Sequence, residues 1–108
     1  MTLELCIPAH NEAAIIRETL DLIIAALEKS SIENWRVVVV DNASNDGTAQ
    51  AARSRDDQRV QVLRIETKGK GAAIIAAAQR SNADLFGFID AGARVNDPTF
   101  AEIGRAHV

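Results

Sequence analysis

The stretch "RVVVVDNASNDGT", Arg36 to Thr48, decides how the chain folds. Four consecutive valines with no polar alternation suit a strand buried on both faces of a parallel sheet. The run ends on a carboxylate, Asp41, and an amide, Asn42, and a polar turn through Ser44, Asn45, Asp46 and Gly47 leads into the next element. A carboxylate that closes a central strand has no capping duty of its own and sits where an open parallel sheet receives ligands.

Working outward, "LELCI" (Leu3 to Ile7) reads as a strand ended by Pro8. From Ala13 to about Lys29 the apolar Ile16, Leu20, Ile23 and Leu27 recur at helical spacing, with Asn11 as the expected cap. Thr48 to Arg55 reads as a second helix, Arg59 to Ile65 as a third strand, Gly71 to Arg80 as a third helix and Leu85 to Ile89 as a fourth strand. This βαβαβαβ order predicts a Rossmann-like α/β fold, a parallel sheet with helices on both faces. Each strand then delivers its following loop to one carboxyl edge. His10, Asn11 and Glu12 come from the first loop, Asp41 and Asn42 from the second, Lys68 and Lys70 from the third and Asp90 from the fourth.

Composition narrows the function. The 108 residues suffice for one domain, and 47% hydrophobic with 25% charged residues is ordinary for a globular chain. A net charge of −3 and the lack of Tyr offer neither a basic field nor a stacking platform, so nucleic acid is not an expected partner. The lone Cys6 lies in an apolar run and reads as a small hydrophobe in a reducing, cytoplasmic setting. No apolar run in this piece approaches the length of a membrane span.

Several residues carry two readings. Asp46 and Ser44 read first as caps of the second helix. The lysines of "TKGKGAA" are either solvated turn residues or phosphate ligands ahead of a helix start, and the segment is no P-loop. His10 reads as a surface loop histidine, and Glu12 as either a first-turn helix charge or a ligand contact. Asp90 suits a Mg2+ or Mn2+ site completed by substrate phosphates, or is a solvated loop acid.

Together these segments resemble the nucleotide-sugar half of the family 2 glycosyltransferases, inverting enzymes of the A-type fold. "IPAHNE" is similar to the family's (I/V)PxxNE, "VVVVDNASNDGT" to VVDDxSxDGT, "KGKGAA" to the NxGxxxA region, and "FIDAG" to the segment bearing DxD. The resemblance implies a UDP-sugar or GDP-sugar donor bound by Pro8, Ala9, Asn11, Glu12, Asp41, Asn42, Lys68, Lys70 and Asp90. Glu12 and Asp41 would lie against the nucleoside, the lysines near ribose or diphosphate, and Asp90 would be the first DxD acid and the metal ligand for Mg2+ or Mn2+. The short KGKGAA form is similar to that of the dolichyl- or polyprenyl-phosphate sugar transferases, whose acceptor is a lipid phosphate.

Gly92 stands where the second DxD acid would be, and the segment that carries an acceptor site and catalytic base in the family does not follow. "EIGRAHV", Glu102 to Val108, has no apolar period and is the translation of GAG ATC GGA AGA GCA CAC GTC, the body of a common sequencing adapter. The expectation is a donor-binding portion over residues 1–101, truncated at its C-terminal side, and a non-native tail over 102–108. This piece would be inactive alone. The rival reading is a non-catalytic nucleotide-binding or receiver-like α/β module. A dinucleotide-dependent oxidoreductase is disfavoured because no GxGxxG follows the first strand.

Overall fold

The valine run lies at the centre of the sheet. The structure, a computed structural model, describes residues 1–92, so the expectations for Glu102 to Val108 lie outside the described residues. Its elements are β1 (Thr2–Ala9), α1 (Ile16–Lys29), β2 (Asn34–Asn42), α2 (Thr48–Arg53), β3 (Val60–Ile65), α3 (Lys70–Arg80) and β4 (Leu85–Phe88). All strand pairs are parallel, in the order β3-β2-β1-β4. The chain thus steps outward from β1 to β3, then returns to the other side of β1 for β4, with the helices on both faces.

Alternation along β2 explains the two layers of core. Val37 and Val39 join Leu5, Ile7 and Ala9 against Ile16, Leu20, Ile23 and Leu27 of α1 and Ala52 of α2. Val38 and Val40 face the opposite side, with Cys6, against Ala73 and Ala77 of α3. One full turn separates those two alanines, and their small side chains let α3 lie close to the sheet. Burial first, and the Glu4 carboxylate second, push the Cys6 thiol up to about 12, so it packs as a neutral hydrophobe.

Several boundaries differ from the sequence expectation. Helix α1 begins at Ile16 rather than Ala13, because the amides of Ile15 and Ile16 both bond to the Glu12 carbonyl in a preceding turn. Asn11 is not its cap: it lies four residues before the N-cap position, Ile15, at φ 52°. Strand β2 runs on through Asp41 and Asn42, which pair in register with Arg64 and Ile65 of β3. Helix α2 stops at Arg53, two residues earlier than expected. Strand β4 ends at Phe88, although the Ile89 amide still bonds to the Cys6 carbonyl. Among the described residues, no helix is long and apolar enough to cross a membrane.

Two stability predictions follow from this packing. Ile23→Ala, at a fully buried position, should cost about 2–5 kcal/mol in denaturant unfolding, whereas Ile75→Ala, 59% exposed, should stay within about 0.5 kcal/mol. The second concerns Asp57, whose carboxyl is held down to about 2 by the Arg59 guanidinium, which donates to it from Nε and Nη2. A depressed carboxyl stabilises the fold above its unfolded value and loses that contribution as pH falls towards 2. Acid unfolding of Asp57→Asn should therefore show a shallower loss of stability between about pH 4 and pH 2 than the parent.

Candidate functional site

At the carboxyl edge the loops after β1 and β4 part, because β2 lies on one side of β1 and β4 on the other. A cleft of about 210 Å³ opens there, lined by Pro8, Ala9, His10, Glu12, Asn42, Lys70 and Asp90. This is the switch point at which open parallel sheets take ligands. The cleft is smaller than the ~300–1,000 Å³ of a typical small-molecule pocket, so the described residues enclose part of a nucleotide-sized ligand. Of the expected set, Asn11, Asp41 and Lys68 do not line it.

Asn42 and Asp41 point to opposite faces of β2 and each organises a different loop. The Asn42 amide nitrogen donates to the carbonyls of Thr67 (2.8 Å) and Gly69 (3.2 Å), and its oxygen accepts from the Gly69 amide (2.9 Å). This clamps the loop that starts α3. Gly69 makes the match possible, for its φ of 115° is open to glycine at little cost while a side chain there is strained whatever the space. Lys70, the first residue of α3, is thereby delivered to the cleft.

Asp41 is buried, and both its oxygens are engaged, Oδ1 by the Ser44 amide (3.2 Å) and Oδ2 by Nη1 of Arg64 (2.8 Å). Arg64 was not among the sequence candidates. Its register opposite Asp41 is the signal, and that register is visible only once β2 and β3 are paired. Glu66 first, and Asp41 second, hold the Arg64 guanidinium above its ordinary value, so it remains charged.

Polar side chains lace the β1 loop to the β2–α2 turn. The Asn11 amide donates to Ser44 Oγ, and Asn11 Oδ1 accepts from the Asn45 amide. Ser44 is therefore an inter-loop contact and not the expected helix cap. Asp46 does act at the start of α2: its Oδ1 accepts from the Thr48 amide and hydroxyl, while Oδ2 accepts from the Ala13 amide. These bonds, Thr48 first, lower the Asp46 carboxyl below its usual range. Thr48 Oγ1 in turn accepts from the Glu12 amide.

His10 is exposed, as expected of a loop histidine, yet it is not idle. Its Nδ1 lies 2.6 Å from the Asn42 carbonyl, which can only accept, so Nδ1 carries the proton. Nε2 is left to accept from the Asn11 amide group, 3.3 Å away. Glu12 precedes α1 and is not a first-turn charge; the acid in that turn is Glu18. The Glu12 backbone starts the helix while its side chain borders the cleft.

Across the cleft, Lys70 Nζ meets Asp90 Oδ2 at 2.8 Å, and Asp90 Oδ1 accepts from the Gly92 amide at 3.0 Å. Lys70 and then Gly92 hold the Asp90 carboxyl below its usual range, so it is ionised at neutral pH. The buried Thr19 hydroxyl donates to the Ala91 carbonyl (2.6 Å) and fixes the turn beyond Asp90. Lys68 is exposed and has no hydrogen-bond or ion-pair partner among the described residues.

Hard divalent cations take oxygen ligands and commonly bind through one or two carboxylates plus substrate phosphates. Among the described residues no group of three or more His, Cys, Asp or Glu could hold a metal ion. The cleft does carry two carboxylates, Glu12 and Asp90, and the ion pair on Asp90 is more than half exposed on both sides and free to open. The residues fit a cation that arrives with a diphosphate. They do not form a cage of their own.

Asn42→Ala tests the clamp. With its three bonds to the α3 loop removed, the variant should lose about 1–3 kcal/mol of stability in urea, and amide exchange at Gly69 should quicken. Unchanged exchange there would show that the loop holds its shape without Asn42.

Comparison with known proteins bears on this geometry. Residues 4–103 match the family model described as Glycosyl transferase family 2. A dolichyl-phosphate beta-glucosyltransferase of Trichomonas vaginalis is 31% identical over 104 residues, covering 90% of this chain and 31% of the relative. The crystal structure of mannosyl-3-phosphoglycerate synthase from Rubrobacter xylanophilus superposes with a TM-score of 0.75 at 29% identity, over 92% of this chain and 33% of that one. A mannosyltransferase from Pyrobaculum calidifontis, in complex with GDP-Man and Mn2+, gives a TM-score of 0.71 at 27% identity, over 94% of this chain and 31% of that one. The chain thus spans about a third of the length of the relatives it matches. The A-type architecture expected from the four motifs is the one observed, and the chain belongs to glycosyl transferase family 2.

Proposed function

We propose that this chain is the donor-binding portion of an enzyme that transfers a sugar from UDP or GDP to an acceptor with inversion. The observation that carries the proposal is the convergence of Glu12, Asn42, Lys70 and Asp90, from four separate loops, on one cleft at the switch point of the sheet. The similar mannosyltransferase bound to GDP-Man and Mn2+ supports a nucleoside-diphosphate donor. The similar dolichyl-phosphate glucosyltransferase supports a lipid-phosphate acceptor, met at the cytoplasmic side of a membrane.

In this reading the loops after β1 and β2 hold the nucleoside, with Pro8, Ala9 and Asn11 shaping the wall beside Glu12. Lys70 releases Asp90 and turns to the diphosphate, joined by Lys68, whose ammonium has no competing partner among the described residues. The start of α3 adds the partial positive charge of a helix N-terminus. Asp90, freed from Lys70, would hold Mg2+ or Mn2+, which supplies positive charge against the charge that gathers on a departing diphosphate. The ion pair exchanged is exposed and worth little, so the rearrangement costs little.

Calorimetry on the chain should show UDP or GDP binding more tightly than NAD, and tighter still with Mn2+ than with chelator. Asp90→Ala should abolish the Mn2+-dependent part. Gly92→Asp should enlarge it: Gly92 does not hold a positive φ, and a Cβ there would meet only Asp90 Oδ1 at 3.6 Å, an ordinary contact. Tighter NAD binding would overturn the donor assignment. An Asp90→Ala variant that keeps the full Mn2+ effect would reduce Asp90 to a loop residue.

A further inference from the structure

Arg64 belongs to none of the four family-like motifs, yet it stands over the residue on which the second motif turns. Asp41 is 1% exposed, and its two oxygens are occupied by the Ser44 amide and by Arg64. A ligand arriving at this corner of the carboxyl edge does not meet the carboxylate. It meets the guanidinium, whose side chain is 43% exposed.

That guanidinium is held from three directions. Nη1 donates to Asp41 Oδ2 (2.8 Å) and to the Ser44 carbonyl (2.9 Å), and Nε donates to Glu66 Oε1 (2.8 Å). Three of its five N–H donors are thereby used, and the plane of the fork is fixed. Nη2 has no partner among the described residues, which leaves two oriented donors facing outward beside Asn42, a wall of the cleft. A cationic donor pair locked by a buried carboxylate needs no reorganisation to meet an acceptor.

We propose that Arg64 determines the base specificity of the donor site, its Nη2 donors reading a carbonyl oxygen of a keto base while Asp41 positions it. The inference rests on the donor-binding reading above and adds to it the class of base and the residue that selects it. Uracil presents O4 and guanine presents O6 and N7 as acceptors, whereas cytosine and adenine place an amino donor where those bases carry the carbonyl. Arg64 would set donors against donors for the amino bases. A site built on hydrogen bonds rejects an analogue that leaves them unmade far better than an apolar pocket rejects a change of shape.

The test is titration of the chain, of Arg64→Met and of Arg64→Lys with UDP, GDP, CDP, ADP and inorganic pyrophosphate, with thermal melts of each variant. The parent should prefer UDP or GDP over CDP and ADP. Arg64→Met should lose roughly ten-fold or more for the preferred nucleotide, its preference should fall towards none, and pyrophosphate binding should be unchanged. Arg64→Lys keeps a charge for Asp41 but not the fork; it should fold like the parent and still lose the base preference, which covers the case in which Arg64→Met unfolds. Retained preference in Arg64→Lys overturns the proposal, and so does a loss shared equally by pyrophosphate, which would make Arg64 a structural clasp. A parent that binds pyrophosphate and all four nucleotides alike refutes the base reading while sparing the diphosphate site. A parent that binds none of them refutes the donor-binding reading itself.

Discussion

Strand β2 is buried on both faces, so the polar groups at its end cannot turn to water and must be satisfied by the loops around them. Asp41 and Asn42 meet this constraint in opposite directions. Asp41, on the α1 and α2 side, draws in the Ser44 amide and Arg64; Asn42, on the α3 side, draws in Thr67 and Gly69. The shapes of the β2–α2 turn and of the β3–α3 loop follow from these bonds. So does the placement of Lys70 and Arg64, the two cations nearest the carboxyl edge that the buried pair controls.

The charges left for a ligand are the ones held most lightly. Lys70 and Asp90 are each more than half exposed, and an ion pair in that setting contributes at most about 1 kcal/mol. The pair keeps both groups ionised and near each other without committing either. By contrast, Glu4 is buried against Arg36 at the far end of the sheet, where breaking the pair would strand a carboxylate. Firm ion pairs thus serve the scaffold and loose ones border the cleft. Local openings at the ligand edge are accordingly cheaper than openings of the core.

Order and type of every element were legible because β2 lacks alternation and α1 has a clean helical period. What was not legible depends on partners distant in sequence. Asn11 looks like a helix cap by local rules, but its bonds run to Ser44 and Asn45, more than thirty residues away, and they hold it at a positive φ. Helix α1 starts late because the Glu12 carbonyl already closes a turn and its amide is tied to Thr48. Lys68 and Lys70 look equivalent in "KGKG", and only the fold separates an unpartnered lysine from one facing Asp90. Arg64 carries no motif at all; it matters because parallel register sets it against Asp41.

Strand order explains why the cleft takes some candidates and not others. Between β1 and β4 the neighbouring loops lead to opposite faces, the first into α1 and the last away from α3, so the crevice opens there. Residues just past β1 and β4, with the start of α3, become its walls, and these bear the mixed charge of Glu12, Lys70 and Asp90. Asp41 belongs to β2, one strand removed, where neighbours on both sides close the gap and the carboxylate is covered. Its influence therefore reaches the ligand edge through Arg64, whose long side chain spans the distance that a carboxylate cannot. A strongly buried acid and an exposed arginine opposite it in register together present, at the surface, a positive donor group whose direction is fixed from below.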